Sequence, residues 1–181
     1  FVFTCSSAAF FEWVEKNNPA MFEELKKRVQ EGRIELVGGW WVQPDCNIPS
    51  GEGLIRQGLY GQRYFLEKFG KTATTGYNVD SFGHNGNLPQ ILKKSGLDRY
   101  VFMRPMPLEK GLPGRIFQWK SMDGSKVMAY RIPYEYCTWG KDLEKYVGRL
   151  KCELLDGEDE LMMFYGVGNH GGGPTKENIA S

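Results

Sequence analysis

Segments with strand character and segments with helix character alternate along nearly the whole of this chain. That alternation constrains the fold more than any single motif. Consecutive parallel strands need a crossover between them, most often a helix, so the pattern argues for a mainly parallel α/β architecture. Phe1 to Thr4 is a short β run. Ser6 or Ser7 can cap a helix carrying Phe10, Phe11 and Val14, which ends near Asn17 and Asn18. Pro19 opens a second helix with Phe22, Leu25 and Val29 on one face, and Gly32 stops it. Arg33 to Val37 alternates as a strand does, and a loop follows. A long helix then runs from Ser50 to about Phe69. Ile55, Leu59 and Leu66 form its apolar stripe, while Gly58 and Gly61 allow a close neighbour.

The second half repeats the alternation. Thr74, Thr75, Tyr77 and Val79 read as a strand. Leu88-Pro89-Gln90 starts a helix that runs to Gly96. Arg99 to Met103 is another strand. Arg115 to Trp119 and Lys126 to Ile132 are two strands of a hairpin turning at Asp123-Gly124. Lys141 to about Leu155 is a helix with Leu143, Tyr146, Val147 and Leu150 inward. Leu161 to Tyr165 is continuous and apolar, as a buried last strand should be. There is no internal repeat, low-complexity tract or linker, so residues 1–181 read as part of one domain. Phe1-Val2-Phe3 looks like a strand already under way and Glu177 to Ser181 like a helix just begun. The expectation is a piece truncated at both ends.

Composition excludes some functions. The net charge of +1 offers no electrostatic case for nucleic acid or an anionic membrane. No apolar run is long enough to span a bilayer. Cys5, Cys46, Cys137 and Cys152 are widely spaced, which favours reduced thiols and a cytoplasmic setting. His84 and His170 are the only histidines, so a metal site must use carboxylates or ligands from sequence not present here.

Candidate chemistry gathers in three stretches. Asp80 stands where a strand ends and a loop begins, the end of an α/β sheet at which ligands bind. Phe82 and His84 follow within four positions. Asp80 as a turn cap and His84 as a satisfied loop histidine is the plain alternative. Trp40 and Trp41 in a Gly/Pro/Asp/Asn loop are either a hydrophobic plug or a ligand-facing platform. Arg104, after the strand that ends near Met103, either clamps an anion or lies on the surface. Tyr134, Tyr136 and Trp139 cluster in the loop after the hairpin. Gly166 to Thr175 formally contains a G-x-G-x-x-G, but that fingerprint opens a first βαβ unit and here it closes the chain. A tight strand-end loop presenting Asn169 and His170 fits better.

Taken together, Gly39-Trp-Trp-Val-Gln-Pro-Asp-Cys-Asn-Ile-Pro-Ser-Gly-Glu52 with Arg56-Gln57, Tyr77-Asn-Val-Asp-Ser-Phe-Gly-His84 with Leu88-Pro-Gln90, and Gly166-Val-Gly-Asn-His-Gly-Gly-Gly-Pro-Thr175 carry a pattern. It resembles the catalytic domain of the family 38 glycoside hydrolases, the α-mannosidases, in their bacterial and cytosolic branch. The resemblance covers essentially the whole chain. It implies an irregular β/α barrel of the glycoside hydrolase and deacetylase type, mostly of parallel strands and incomplete in these residues. It implies one divalent metal, usually zinc. On it, Asp80 is the nucleophile and a metal ligand, with the other ligands outside this chain. Phe82 sits against the sugar, with Trp41 and Asn169 as further substrate contacts. Arg104 braces the site and His84 supports it. Related members place an aspartate near the glycine loop as general acid. The matching Asn169 cannot donate a proton as an acid does, so His170 or another group would.

The expected function is retaining hydrolysis of terminal α-mannosides of glycans through a glycosyl-aspartate. A glycan is the expected partner. Nucleic acid and membrane are not, and a homo-oligomer of the full-length protein stays open. Two rival readings exist. One is a metal-dependent polysaccharide deacetylase on a similar barrel. The other is a non-catalytic carbohydrate-binding module using Trp40, Trp41 and Tyr134.

Overall fold

The structure, a computed structural model, describes residues 2–137, 143–154, 156–167 and 173–180. Their elements run β1 (Phe3–Ser7), α1 (Ala8–Asn17), α2 (Pro19–Gln30), β2 (Ile34–Trp40), α3 (Gly51–Phe69), β3 (Thr75–Asn78), α4 (Leu88–Lys94), β4 (Arg99–Phe102), β5 (Ile116–Lys120), β6 (Lys126–Arg131), α5 (Leu143–Lys151) and α6 (Lys176–Ala180). The α/β alternation is present. β1 pairs with β2 in a two-stranded parallel sheet. A second sheet has the order β3-β4-β6-β5, parallel except for the antiparallel β5.

The barrel expectation is corrected. Among the described residues the strands form two separate open sheets, and no ladder joins β2 to β3 or closes the second sheet on itself. Closing a barrel demands a continuous ladder with a fixed stagger. β2 departs from that geometry near its end, where Gly38 and Gly39 have φ of 80° and 69°. A kinked strand cannot offer β3 a regular hydrogen-bonding edge. The two sheets meet instead through side chains: Trp40 Nε1 of β2 donates to Asn78 Oδ1 of β3 at 3.0 Å.

The expected last strand over Leu161 to Tyr165 is also absent, although residues 156–167 are described. Both edges of β6 are already taken, by β4 on one side and by β5 on the other. Phe164 packs its ring near that of Tyr77 instead, with centroids 6.2 Å apart. It belongs to a small cluster around Val79, Val101, Met103 and Ile132.

The main core lies where α3 rests on β2. Trp40, Leu36, Leu54, Phe65 and Tyr100 are all buried there. The stripe Ile55, Leu59 and Leu66 faces outward and is exposed. The buried face of α3 is Leu54, Gly58, Gly61, Tyr64 and Phe65. Its two glycines set the seam. A methyl at Gly61 would lie 2.4 Å from the Trp40 carbonyl carbon and 2.5 Å from Gly39 O. Ser50 accepts from Gly53 N to cap the helix, and Gly70 ends it in the left-handed region. Gln62, inside α3, donates to Ala73 O and Ser95 O and accepts from Ala73 N, which ties the chain before β3 and the end of α4 to one helix.

Candidate active site

The parallel register of β3 and β4 sets Asn78 opposite Phe102. Asp80 and Arg104 each lie two residues past that pair, so the ladder delivers them side by side at the strand ends. Arg104 Nε donates to Asp80 Oδ1 at 2.8 Å. The carboxylate keeps 42% of its side-chain surface open and the arginine 31%. The pair is therefore a half-exposed charged couple, aligned by the backbone and accessible from outside. Such a charge-assisted bond is stronger than one between neutral groups.

Two rings complete the contact. The Arg104 guanidinium lies 4.6 Å over the centre of the Phe82 ring, and Phe82 is largely exposed. Tyr136 is the second ring, next to Asp80. Its phenol is pushed up to about 12, first by burial and then by the neighbouring Asp80 charge and a hydrogen bond with it. The sequence marks Tyr136 only as part of an aromatic cluster. The available signal was its place just after β6, at the same end of the sheet as Asp80 and Arg104.

His84 is held from both ring nitrogens. Nε2 lies 2.8 Å from the Arg104 carbonyl oxygen and Nδ1 lies 3.0 Å from the Tyr100 hydroxyl. A carbonyl only accepts, so Nε2 carries the proton and Nδ1 accepts from Tyr100. Burial holds its pKa below the usual histidine value and outweighs the Arg104 bond that pulls the other way. The ring is neutral at neutral pH.

The loop after β2 closes over the base of this arrangement. Asn78 Nδ2 donates to Pro44 O, and Ser81 Oγ donates to the same oxygen. Asn85 donates through its main chain and side chain to Cys46 O. Asp45 accepts from the main-chain N–H of Asn47 and Ile48, and those bonds hold its carboxyl below the usual range. Beyond the loop opens a cavity of about 610 Å³, lined by Phe82, His84, Phe102, Arg104, Phe117 and Trp119 among others. The sequence marks Trp119 only as a strand residue.

The remaining candidates do not join this group. Trp40 is fully buried in the core, which is the plug reading. Trp41 packs edge-on against Tyr64 at 6.0 Å and lines a different surface cavity with Glu12, Tyr60 and Arg63. Tyr134 donates to Glu153 beside α5, under the Arg149 guanidinium. The three rings of the binding-module reading thus stand in three separate places. Asn169, His170 and Trp139 lie outside the described residues.

For a metal ion, the donor set is too small. Among the described residues no three of the His, Cys, Asp and Glu side chains come together as a cation site. Asp80 is the one carboxylate at the pair, and its Oδ1 already carries Arg104. These residues alone do not fit a divalent cation, which needs several donors.

An α/β chain with an acid–arginine pair at the ends of adjacent parallel strands presents those groups where α/β domains bind ligands. The family of glycosyl hydrolases family 38 N-terminal domains matches residues 1–180, and the chain belongs to it. It is 36% identical over 178 residues to alpha-mannosidase G of Dictyostelium discoideum, covering 97% of this chain and 16% of that protein. It is 33% identical over 178 residues to alpha-mannosidase 2C1 of Homo sapiens, covering 97% and 17%. The chain therefore spans about a sixth of the length of these relatives. The crystal structure of an alpha-mannosidase from Enterococcus faecalis V583 superposes with a TM-score of 0.69 at 21% identity, over 84% of this chain and 18% of that one. That likeness establishes the fold.

Proposed function

We propose that the chain supplies Asp80 as the nucleophile of a retaining α-mannosidase acting on terminal α-mannosides of glycans. The observation that carries this reading is the half-open Asp80 carboxylate, paired with Arg104 at the ends of adjacent parallel strands, in a chain of this family. An Asp80 oxygen attacks the anomeric carbon as the bond to the leaving oxygen breaks. The leaving oxygen takes a proton from an acid, and water then hydrolyses the glycosyl ester. Arg104 holds the carboxylate in place through its Nε–H. Phe82 offers an apolar ring to one sugar face. Tyr136 can donate its hydroxyl to the same carboxylate.

The acid must come from a second group, roughly 5–5.5 Å from the nucleophile in retaining enzymes. A divalent cation, expected as zinc, belongs to this proposal only in the full-length protein, where donors beyond Asp80 would hold it. A cytoplasmic setting is proposed from the thiols, since Cys5, Cys46, Cys137 and Cys152 are all free. Among the described residues no helix is long and apolar enough to cross a membrane.

The direct test is Asp80→Ala in the full-length enzyme, assayed on an aryl α-mannoside. A loss of at least about 10³-fold in kcat is expected for removal of a nucleophile. Hydrolysis near the wild-type rate would remove Asp80 from that role.

A further inference from the structure

We propose that His84 is a positioning residue that acts on Asp80 through the backbone of Arg104, without touching substrate. Its two hydrogen bonds form one chain, from the Tyr100 hydroxyl through the ring to the Arg104 carbonyl. Nδ1 accepts from Tyr100, whose side chain is fully buried in β4. Nε2 donates to the carbonyl of Arg104, the residue whose own side chain grips Asp80. One end of that chain of bonds is anchored in the core and the other ends on the acid–arginine pair.

The ring has little freedom to do anything else. Tyr100, Phe102 and Trp119 meet it edge-on, with centroids at 5.6, 5.3 and 5.9 Å and interplanar angles of 87°, 69° and 81°. Both nitrogens are engaged, so neither is free to exchange a proton with a sugar. What the ring fixes is the course of the chain where it leaves β4. The Arg104 side chain starts there, and it must satisfy both Asp80 and the Phe82 face. A shift of that carbonyl swings the guanidinium away from both. Reacting groups tolerate such shifts poorly, since a misplacement of about 1 Å can cost about a hundredfold in rate.

This role rests on the reading of Asp80 as the reacting carboxylate, but the contacts do not. The experiment compares His84→Leu, His84→Gln and Tyr100→Phe in the full-length enzyme, by kinetics on an aryl α-mannoside and by crystal structures. His84→Leu is expected to lower kcat by about a hundredfold with little change in KM. His84→Gln keeps an N–H for the Arg104 carbonyl and is expected to recover most of that loss. Tyr100→Phe keeps the ring and removes the anchor hydroxyl, so it should lower kcat in the same sense but less. It also carries the test if His84→Leu fails to fold. In the crystal structures the Arg104–Asp80 pair should open in His84→Leu and remain closed in His84→Gln. Unchanged kcat in His84→Leu and Tyr100→Phe, equal losses in the leucine and glutamine variants, or a closed pair in His84→Leu would overturn the proposal. If Asp80→Ala keeps full activity, the functional reading fails, and the crystallographic comparison still decides the role of His84.

Discussion

At the scale of single residues, the site depends on matched positions in neighbouring strands. Asp80 and Arg104 lie equally far past the Asn78–Phe102 pair, so no loop has to be folded specially to bring them together. His84 adds a pH dependence. Its folded pKa is depressed by burial, while in the unfolded chain it returns to about 6.5. A depressed folded pKa means the stabilisation is present above the unfolded value and is lost as pH falls through the folded one. The melting temperature of the full-length enzyme should therefore drop more steeply below about pH 6.5 than that of His84→Gln. Thermal scans across that range check it, and parallel curves would show that His84 titrates alike in both states. The sequence shows Asp80, Phe82 and His84 as candidates because a carboxylate, a ring and an imidazole sit within five positions, and Arg104 because it follows the strand that ends near Met103. It did not show Tyr136 or Trp119 beside them. Their approach comes from strand order and hairpin placement, which are long-range facts that no local pattern carries.

At the scale of elements, the seam between α3 and β2 governs the core. Sequence periodicity gathers Ile55, Leu59 and Leu66 in one apolar stripe, which is found exposed, and reads Gly58 and Gly61 as allowing a close neighbour, which is the face found packed. Glycines score poorly as apolar residues, yet Gly58 and Gly61 mark the face that packs closest. A helix lying this near a strand's main chain leaves no room for a methyl. Gly61→Ala is expected to destabilise the protein by about 1–3 kcal/mol, since the clash is with backbone that cannot rotate aside. Chemical denaturation measures it. Gly51→Ala, where a methyl meets nothing within 4 Å, should be far milder and serves as the comparison. Helix existence was legible throughout, because Pro19, Ser50 and Gly70 are strong local stop and start signals. The last strand was not legible, because whether an apolar run becomes a strand depends on a free edge.

At the scale of the whole molecule, two open sheets joined by the Trp40–Asn78 bond replace the barrel read from resemblance. A family pattern carries its fold along with it, and local sequence cannot report whether the ladders close. This chain also spans only about a sixth of its curated relatives. Among the described residues the Asp80–Arg104 pair has one carboxylate, whereas glycoside hydrolysis takes two. Residues 1–181 expressed alone should therefore show no hydrolysis of an aryl α-mannoside above background, while the full-length enzyme turns it over. Turnover by the isolated chain would mean that the acid lies within it.

Retaining hydrolysis through Asp80 requires a covalent bond between its carboxylate and the sugar. It is tested by incubating the full-length enzyme with a fluorinated mannoside bearing an activated leaving group, then digesting the protein and mapping the mass-shifted peptide. One added sugar is expected, on the peptide carrying Asp80, and none in Asp80→Ala. A sugar on a different carboxylate, or turnover of unmodified substrate with no trapped ester at all, would contradict it.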